Sequence, residues 1–300
     1  MPIDSDSFTG VDLSRLPAPQ VIEQLDFETL YAQALAQFQA YFPSFDATVE
    51  SDPVVKLIQL FAYRELVLRQ RLNDAARAVM PAFATGSDLD ALAALFGVER
   101  FILVPADPGA GIAEVLESDA DFRRRIVLAP EGFSVAGPVG AYIFHALSAD
   151  SEVLDASAVS PDPGEVVVTV LARGGDGAPA PEVLAAVEER LNADTVRPLT
   201  DLVTVQAATI VPFAVEAELK LLAGPDSSVV LSNAAARLDA HLASIRRLGR
   251  DITRAGIIAA LCPEGVQNVV LTSPATDIVL GSSEAGNCTG IDIVNAGIGE

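Results

Sequence analysis

Apolar side chains return every three or four positions through the first third of the chain and at every second position in several stretches beyond it. Helices are therefore expected first, and a mixture of strands and helices after them. From Asp26 to Tyr41 the residues Phe27, Leu30, Tyr31, Ala34, Leu35 and Phe38 keep helical spacing, following an extended start that contains Pro17 and Pro19. Pro43 closes that helix, and Ser51-Asp52-Pro53 reads as a cap followed by proline at the first helical position. The next helix is predicted to run to about Val79 with Leu57, Phe61, Leu68, Leu72, Ala75 and Val79 in a stripe as narrow as a coiled-coil seam. At roughly 1.5 Å per residue such a helix is about 40 Å long, more than a small domain needs for its own core. The set Leu57, Phe61, Arg64, Leu68, Arg71 and Leu72 is thus a candidate face for a helical bundle between chains. An ordinary bundle within one chain is the alternative, and the Glu65–Arg69 pair, contributing about 0.3 to 0.5 kcal/mol, does not decide between them. Ser87 with Asp90 resembles a capping box for a third helix, Leu89 to Phe96, which Gly97 stops.

Residues 103 to 117 hold prolines and glycines without a period, marking the end of the helical part. Ser118 and Asp121 then open a short helix bearing Arg123, Arg124 and Arg125. A glycine-rich turn, Gly132 to Gly140, leads into a helix from about Val139 to Leu147. Strands Val153–Val159 and Val166–Leu171 flank the turn Pro161-Asp162-Pro163-Gly164 and predict a hairpin. A helix over Glu182–Leu191 and a returning strand at Val203–Val205 complete this part. A second unit repeats the alternation, with a long strand Thr209–Leu222, a helix from about Ser227 to Leu248 stopped by Gly249, a short helix Arg254–Leu261 and a strand Val266–Leu271. The tail from Gly281 is small and polar, and is expected to be loosely held. The expected class is α+β: a helical N-terminal arm over residues 1–104, a middle α/β domain over 105–208, and a C-terminal α/β domain with its tail over 209–300.

Charge narrows the partners. Forty-one acidic residues against nineteen basic ones give a net charge of −22, a field that repels phosphate backbones and argues against nucleic acid. Only Lys56 and Lys220 are lysines, and the remaining bases are arginines, which grip carboxylates in two-point contacts. Half the residues are hydrophobic, yet charges interrupt every stretch before it reaches the ~20 apolar positions that span a bilayer. The opening MPIDSDSFTG carries acids where a secretory signal carries bases. Two cysteines in so long a chain point to a reducing compartment, so folding in a cytoplasm is expected.

No catalytic, metal or cofactor site is legible. His145 and His241 each lack a second ligand at helical spacing, and Cys262 and Cys288 lack both zinc spacing and an activating histidine, so buried inert thiols are expected. Gly174-Gly175-Asp176-Gly177 is not followed by the Gly-Lys-Ser/Thr of a phosphate loop and reads as a turn. Asp4 and Asp6 imitate the start of a calcium loop, but Phe8 fills the next ligand position. Glu188 and Glu189 are helix neighbours that point in different directions. The Arg123–Arg125 run is read as a solvated face or an ion-pairing surface for a partner. Arg237, Arg246, Arg247 and Arg250 cluster along and beyond the end of the long C-terminal helix; on so acidic a chain they are the candidates for a contact that meets carboxylates of a neighbouring copy.

Several blocks share one resemblance. SDPVVKL (51–57), continuing through AYRELVLRQRLNDAARAV (62–79), is similar to the baseplate J signature, and TGSDLDALAALFGVER (85–100), ESDADFRRRI (117–126), VGAYIFHALSAD (139–150), GEVVVTVL (164–171), VRPLTDLVTVQAA (196–208) and RLGRDITRAGI (247–257) follow in that family's order. The resemblance covers roughly residues 20 to 290. It implies a structural wedge component of a contractile phage-type tail, without enzymatic activity and without cofactors. Copies would associate with one another, with other baseplate wedge subunits, with the central hub and spike and with sheath-initiating proteins, six wedges closing a ring. It implies a place in the virion tail baseplate, assembled in the host cytoplasm. Some members carry an inserted domain after the helical arm, whereas the short linker here resembles the short form. A tail-derived delivery machine (a tailocin) or a gene-transfer particle fits the same physics, and a tail-associated hydrolytic enzyme with an unrecognised carboxylate site is the alternative of a different class.

Overall fold

The computed structural model describes residues 13, 19, 21–46, 49–224 and 226–299. Asp4, Asp6, Phe8 and Pro17, singled out above, lie outside the described residues. The chain divides into one unit over residues 11–99 and another that holds residues 100–300.

The first unit is helical. Helix α1, Phe27–Tyr41, starts where the Asp26 carboxylate accepts the Thr29 N–H at 2.8 Å, and α2, Pro53–Ala78, starts where Asp52 accepts the Val54 N–H at 2.7 Å. Each acceptor satisfies a donor that has no partner inside the helix. The two helices pack together through Leu30 of α1 and Val55, Ile58 and Ala62 of α2. Buried Asn73 fastens the incoming chain, its amide donating to Glu23 O at 2.8 Å and its oxygen accepting the Glu23 N–H at 3.0 Å. Helix α3 spans Gly86–Ala94, so its cap position is Thr85 and not Ser87, and the expected capping box does not begin it. Gly86 sits at φ +53°, a conformation only glycine adopts freely, and that bend starts the helix ahead of the predicted position.

The second unit opens with a short antiparallel pair that the sequence did not predict, β1 (Ile102–Val104) with β2 (Val115–Leu116). Helix α4, Asp119–Leu128, is capped by Ser118 as expected. Helix α5, Val139–Leu147, is buried from Gly140 onward and packs on the sheet β3 (Val153–Val159), β4 (Glu165–Ala172), β5 (Leu202–Ala207). The first pair is the antiparallel hairpin foreseen, with Gly164 at φ +83° in its turn; β5 returns parallel to β4 after α6, Pro181–Leu191.

A second sheet has the order β7 (Val266–Ser273), β6 (Thr209–Leu221), β8 (Glu284–Ile298). Along β6 the side chains Phe213, Val215, Ala217, Leu219 and Leu221 point into the core, while Glu216, Glu218 and Lys220 stay exposed, the alternation of a half-buried strand. Helices α7 (Ser227–Ile245) and α8 (Arg254–Leu261) supply Val230, Ala234, Leu238, Ile257 and Leu261 to that core. The tail predicted to be loose is instead β8, parallel to β6 along nearly its whole length. Its small residues hid the period, because the backbone ladder rather than apolar bulk holds it. Strand β5 passes into β6 through Ala208 alone, and a small core of Leu171, Ala208 and Ala285 lies at that junction. Helices leading into sheet-bearing parts make the class α+β, as the pattern predicted.

Candidate assembly surfaces

Helix α2 has two apolar sides. Val55, Ile58, Ala62 and Asn73 are buried on one side, where α1 packs and where Asn73 bonds the Glu23 backbone ahead of α1. At about 100° per residue, Leu57, Leu60, Phe61, Arg64, Val67, Leu68, Arg71 and Leu72 fall on the other side within an arc of about 140°. The predicted stripe is uncovered there: Leu57, Phe61, Leu68 and Leu72 are 65, 69, 62 and 70% exposed, and Arg64 and Arg71 are exposed among them. Sequence reasoning picked six of these eight positions but missed Leu60 and Val67, which lie at the edge of the same arc. Arg69, on the same side as Ile58 and Ala62, binds Glu65 at 2.6 Å and Glu23 at 3.0 Å. The exposed apolar side chains of this face are contiguous along the helix.

The C-terminal arginines divide. Arg237 and Arg250 are exposed. Arg247 turns inward and meets Asp121 of α4 at 2.5 Å, while Arg173 binds the other oxygen of the same carboxylate at 2.8 Å. Arg246 donates to Gly175 O at 2.8 Å, and the Leu248 N–H donates to Asp155, whose other oxygen takes Arg124 at 2.6 Å. These bonds explain why α7 stops at Ile245, three residues before the predicted end: the following groups leave the helix to join the second sheet to the first part of the unit. Ser157 adds a further tie, its hydroxyl donating to Ser282 O at 2.6 Å. Burial raises the Asp121 carboxyl, but Arg173 and Arg247 together outweigh it and hold the group below the usual carboxylate range. Burial draws Arg247 below its ordinary value, opposed by Asp121 and Asp155.

Within the Arg123–Arg125 run Arg125 is buried, while Arg123 and Arg124 are half-buried and bonded within the chain. Arg125 is buried with Glu117 in a two-point contact, Nε to Oε1 at 2.9 Å and Nη2 to Oε2 at 2.5 Å, and its guanidinium lies 4.1 Å from the centre of the Phe101 ring. Arg124 serves Asp155, and Arg123 donates to Asp119 O at 3.4 Å. The acid partners were not foreseen: Asp155 stands 31 positions from Arg124, and Glu117, although eight positions from Arg125, lies ahead of the helix where no helical spacing links the two.

The remaining chemical candidates stay apart. His145 is buried, its Nε2 3.2 Å from Gly132 O, and burial lowers its pKa, as it does for His241. Both cysteines are free thiols, but Cys262 is exposed and Cys288 half-buried rather than enclosed as expected. Gly174–Gly177 forms a turn, closed by the Gly177 N–H donating to Gly174 O at 3.2 Å. The space beside Asp121, Glu117 and Arg173 is about 10 Å³, at the lower limit for one water molecule. A larger groove of about 210 Å³ is lined by Phe213, Leu242, Ile245, Ile252 and Cys288 and brings no acid–base pair together. Among the described residues no cluster of three His, Cys, Asp or Glu could hold a metal ion, and no helix is long and apolar enough to cross a membrane.

Three family models match the chain in order: the baseplate J-like N-terminal domain over residues 50–107, the central domain over 134–207 and the C-terminal domain over 213–294. Baseplate protein J of Escherichia phage P2 is 45% identical over 299 residues, 97% of this chain and 99% of that protein. The chain belongs to the baseplate J family. That membership makes it a baseplate protein, and the family's N-terminal model takes in the whole two-sided helix α2. A chain of the anti-feeding prophage baseplate, solved by cryo-electron microscopy with 6-fold symmetry, aligns with 64% of this chain and 48% of its own at 15% identity and a TM-score of 0.38.

Proposed function

We propose that this chain is a structural wedge component of the baseplate of a contractile phage-type tail, without catalytic turnover. Copies associate with one another and with other wedge proteins into a ring around the central hub and spike, in contact with the sheath-initiating proteins, after synthesis in the host cytoplasm. The observation that carries the reading is the uncovered side of α2: an apolar arc opposite the one already used by α1, on a helix of 26 residues. A helix that needed only its own unit would leave that side polar. The occupant of the arc is a helix of another wedge chain, with a second copy of this one first among the candidates. The carboxylates that the fold gathers, Asp121, Asp155 and Glu117, are each engaged by arginine, and Arg173 and Arg247 hold Asp121 below the usual carboxylate range.

The C-terminal part is proposed to join neighbouring wedges. Because Arg246 and Arg247 are engaged within the chain, a salt-sensitive contact with an acidic neighbour rests on exposed Arg237 and Arg250. One experiment addresses both surfaces: incorporation of variants into wedges and tails, scored by mass measurement across a salt series. Leu68→Asp is expected to abolish incorporation, since it places an unpaired charge in a closed seam. Arg237→Glu with Arg250→Glu is expected to weaken it most at low salt. Wild-type incorporation of Leu68→Asp would overturn the helical bundle, and salt-independent incorporation of the double variant would remove the arginines from the contact.

A further inference from the structure

A further surface belongs to the second sheet, β7-β6-β8. Strand β8 lies at its edge, and among the described residues no strand pairs with its outer side. Natural proteins protect such edges with charges, prolines or bulges. Over residues 285–299 the only charged residue is Asp292 and there is no proline, in a chain of net charge −22. Breaks in register against β6 fall at Thr289 and again after Asn295, so the straight part of the edge is Gly290 to Asn295.

The direction of each backbone group follows from bonds at the two ends of the ladder. Thr209 N–H donates to Ser283 O, and Gly299 N–H donates to Leu221 O, so the odd-numbered residues of β6 turn their groups toward β8. The partners of Val215, Ala217 and Leu219 are Ile291, Ile293 and Asn295. In a parallel ladder these partners direct their own N–H and C=O away from β6, which takes the groups of the residues on either side. The outward row is therefore Ile291, Ile293 and Asn295. On the flanking positions a Cβ added at Gly290 would meet nothing within 4 Å, and Val294 is exposed.

We propose that this edge pairs antiparallel with the same edge of a second copy of the chain, about a twofold axis through Ile291 or Ile293. It rests on the reading that copies of this chain associate, and it names the surface by which their C-terminal sheets meet. A second copy fits because charge repels two such acidic chains everywhere except along a strip this poor in charge. Charge also fixes the register. An axis through Asp292 would set the two carboxylates opposite each other, whereas an axis through Ile291 places Asp292 opposite Gly290, and one through Ile293 places it opposite Val294. Either choice keeps the helices of both copies on one side of a continuous sheet and brings the exposed part of Ile291 near apolar neighbours.

The test is residue-resolved amide hydrogen exchange on the full-length chain over a concentration range of about a hundredfold. Asp292 and Val294 amides, bonded to β6, are expected to be protected throughout. Ile291 and Ile293 amides are expected to exchange at least about tenfold more slowly at the high end. Ile291→Pro, which deletes an outward donor about either axis, should remove the concentration dependence; Ile291→Lys, which keeps that donor, should remove it where the axis runs through Ile291, so that like charges meet, and leave it where the axis runs through Ile293, which tells the two registers apart. Leu68→Asp should leave it in place, so that loss of the α2 bundle and loss of the β8 pairing are read separately. Concentration-independent exchange at Ile291 and Ile293 overturns the proposal even if the chain self-associates through α2. Protection gained only when other wedge proteins are added, and never by the chain alone, overturns it as well.

Discussion

Arg125 and Glu117 are 4% and 3% exposed, and each is the other's two-point partner. Removing one charge leaves the other enclosed without compensation, which is far more costly than never having buried the pair. Arg125→Ala is expected to destabilise the second unit by about 3 to 5 kcal/mol in urea unfolding, and Arg125→Met with Glu117→Leu by much less. Equal losses for the single and double variants would show that packing against Phe101, rather than charge pairing, dominates. The arginines at this and the neighbouring junction were visible in the sequence as clusters, but their roles were not. Arg247 and Asp121 stand 126 positions apart, so nothing local marks them as partners. A run of three arginines reads as a surface until the fold shows carboxylates gathered around it.

At the scale of elements, spacing carried most of the information where side chains do the holding. Helix α2 was foreseen nearly to its ends because proline, an aspartate cap and a regular apolar stripe all mark the same helix. Strand β6 was foreseen because its alternation is strict. Strand β8 was not, since its glycines and small polar residues leave the period weak, and pairing along β6 holds it. The helix also shows what spacing leaves open: it marks the stripe as apolar, and the structure adds that α1 packs on the opposite side and leaves the stripe exposed. The two sides of α2 therefore predict opposite outcomes for the same chemical change. Ile58→Asp puts a charge against α1 and is expected to cost several kcal/mol, whereas Leu68→Asp, on the uncovered side, should change stability by less than about 1 kcal/mol. Thermal melting of the two variants beside wild type checks this. A comparable loss for Leu68→Asp would mean that the stripe is part of the unit's own core.

For the whole molecule, the arrangement is that of a part made to be joined. A helical unit carries an apolar side that its own chain leaves uncovered, and a sheet-bearing unit ends in an edge strand with little charge to keep others away. Between the two sheets, salt bridges and a strand that continues from one sheet to the next make a braced body. A braced body suits the ring component proposed above, with the proposed contacts on α2 and β8, and a net charge of −22 discourages contacts that are not specified. The family was legible because its blocks are spread in order along the chain; the surfaces were legible only in part, since exposure depends on which side each helix turns to its neighbour. The most direct measurement is site-specific photo-crosslinking in assembled tails, with the reactive group placed at Leu68 in one preparation and at Ile58 in another. The account predicts crosslinks from position 68 to a different polypeptide or a second copy, and from position 58 only to α1 of the same chain. Crosslinks from position 68 confined to its own chain, in particles that assemble normally, would contradict it.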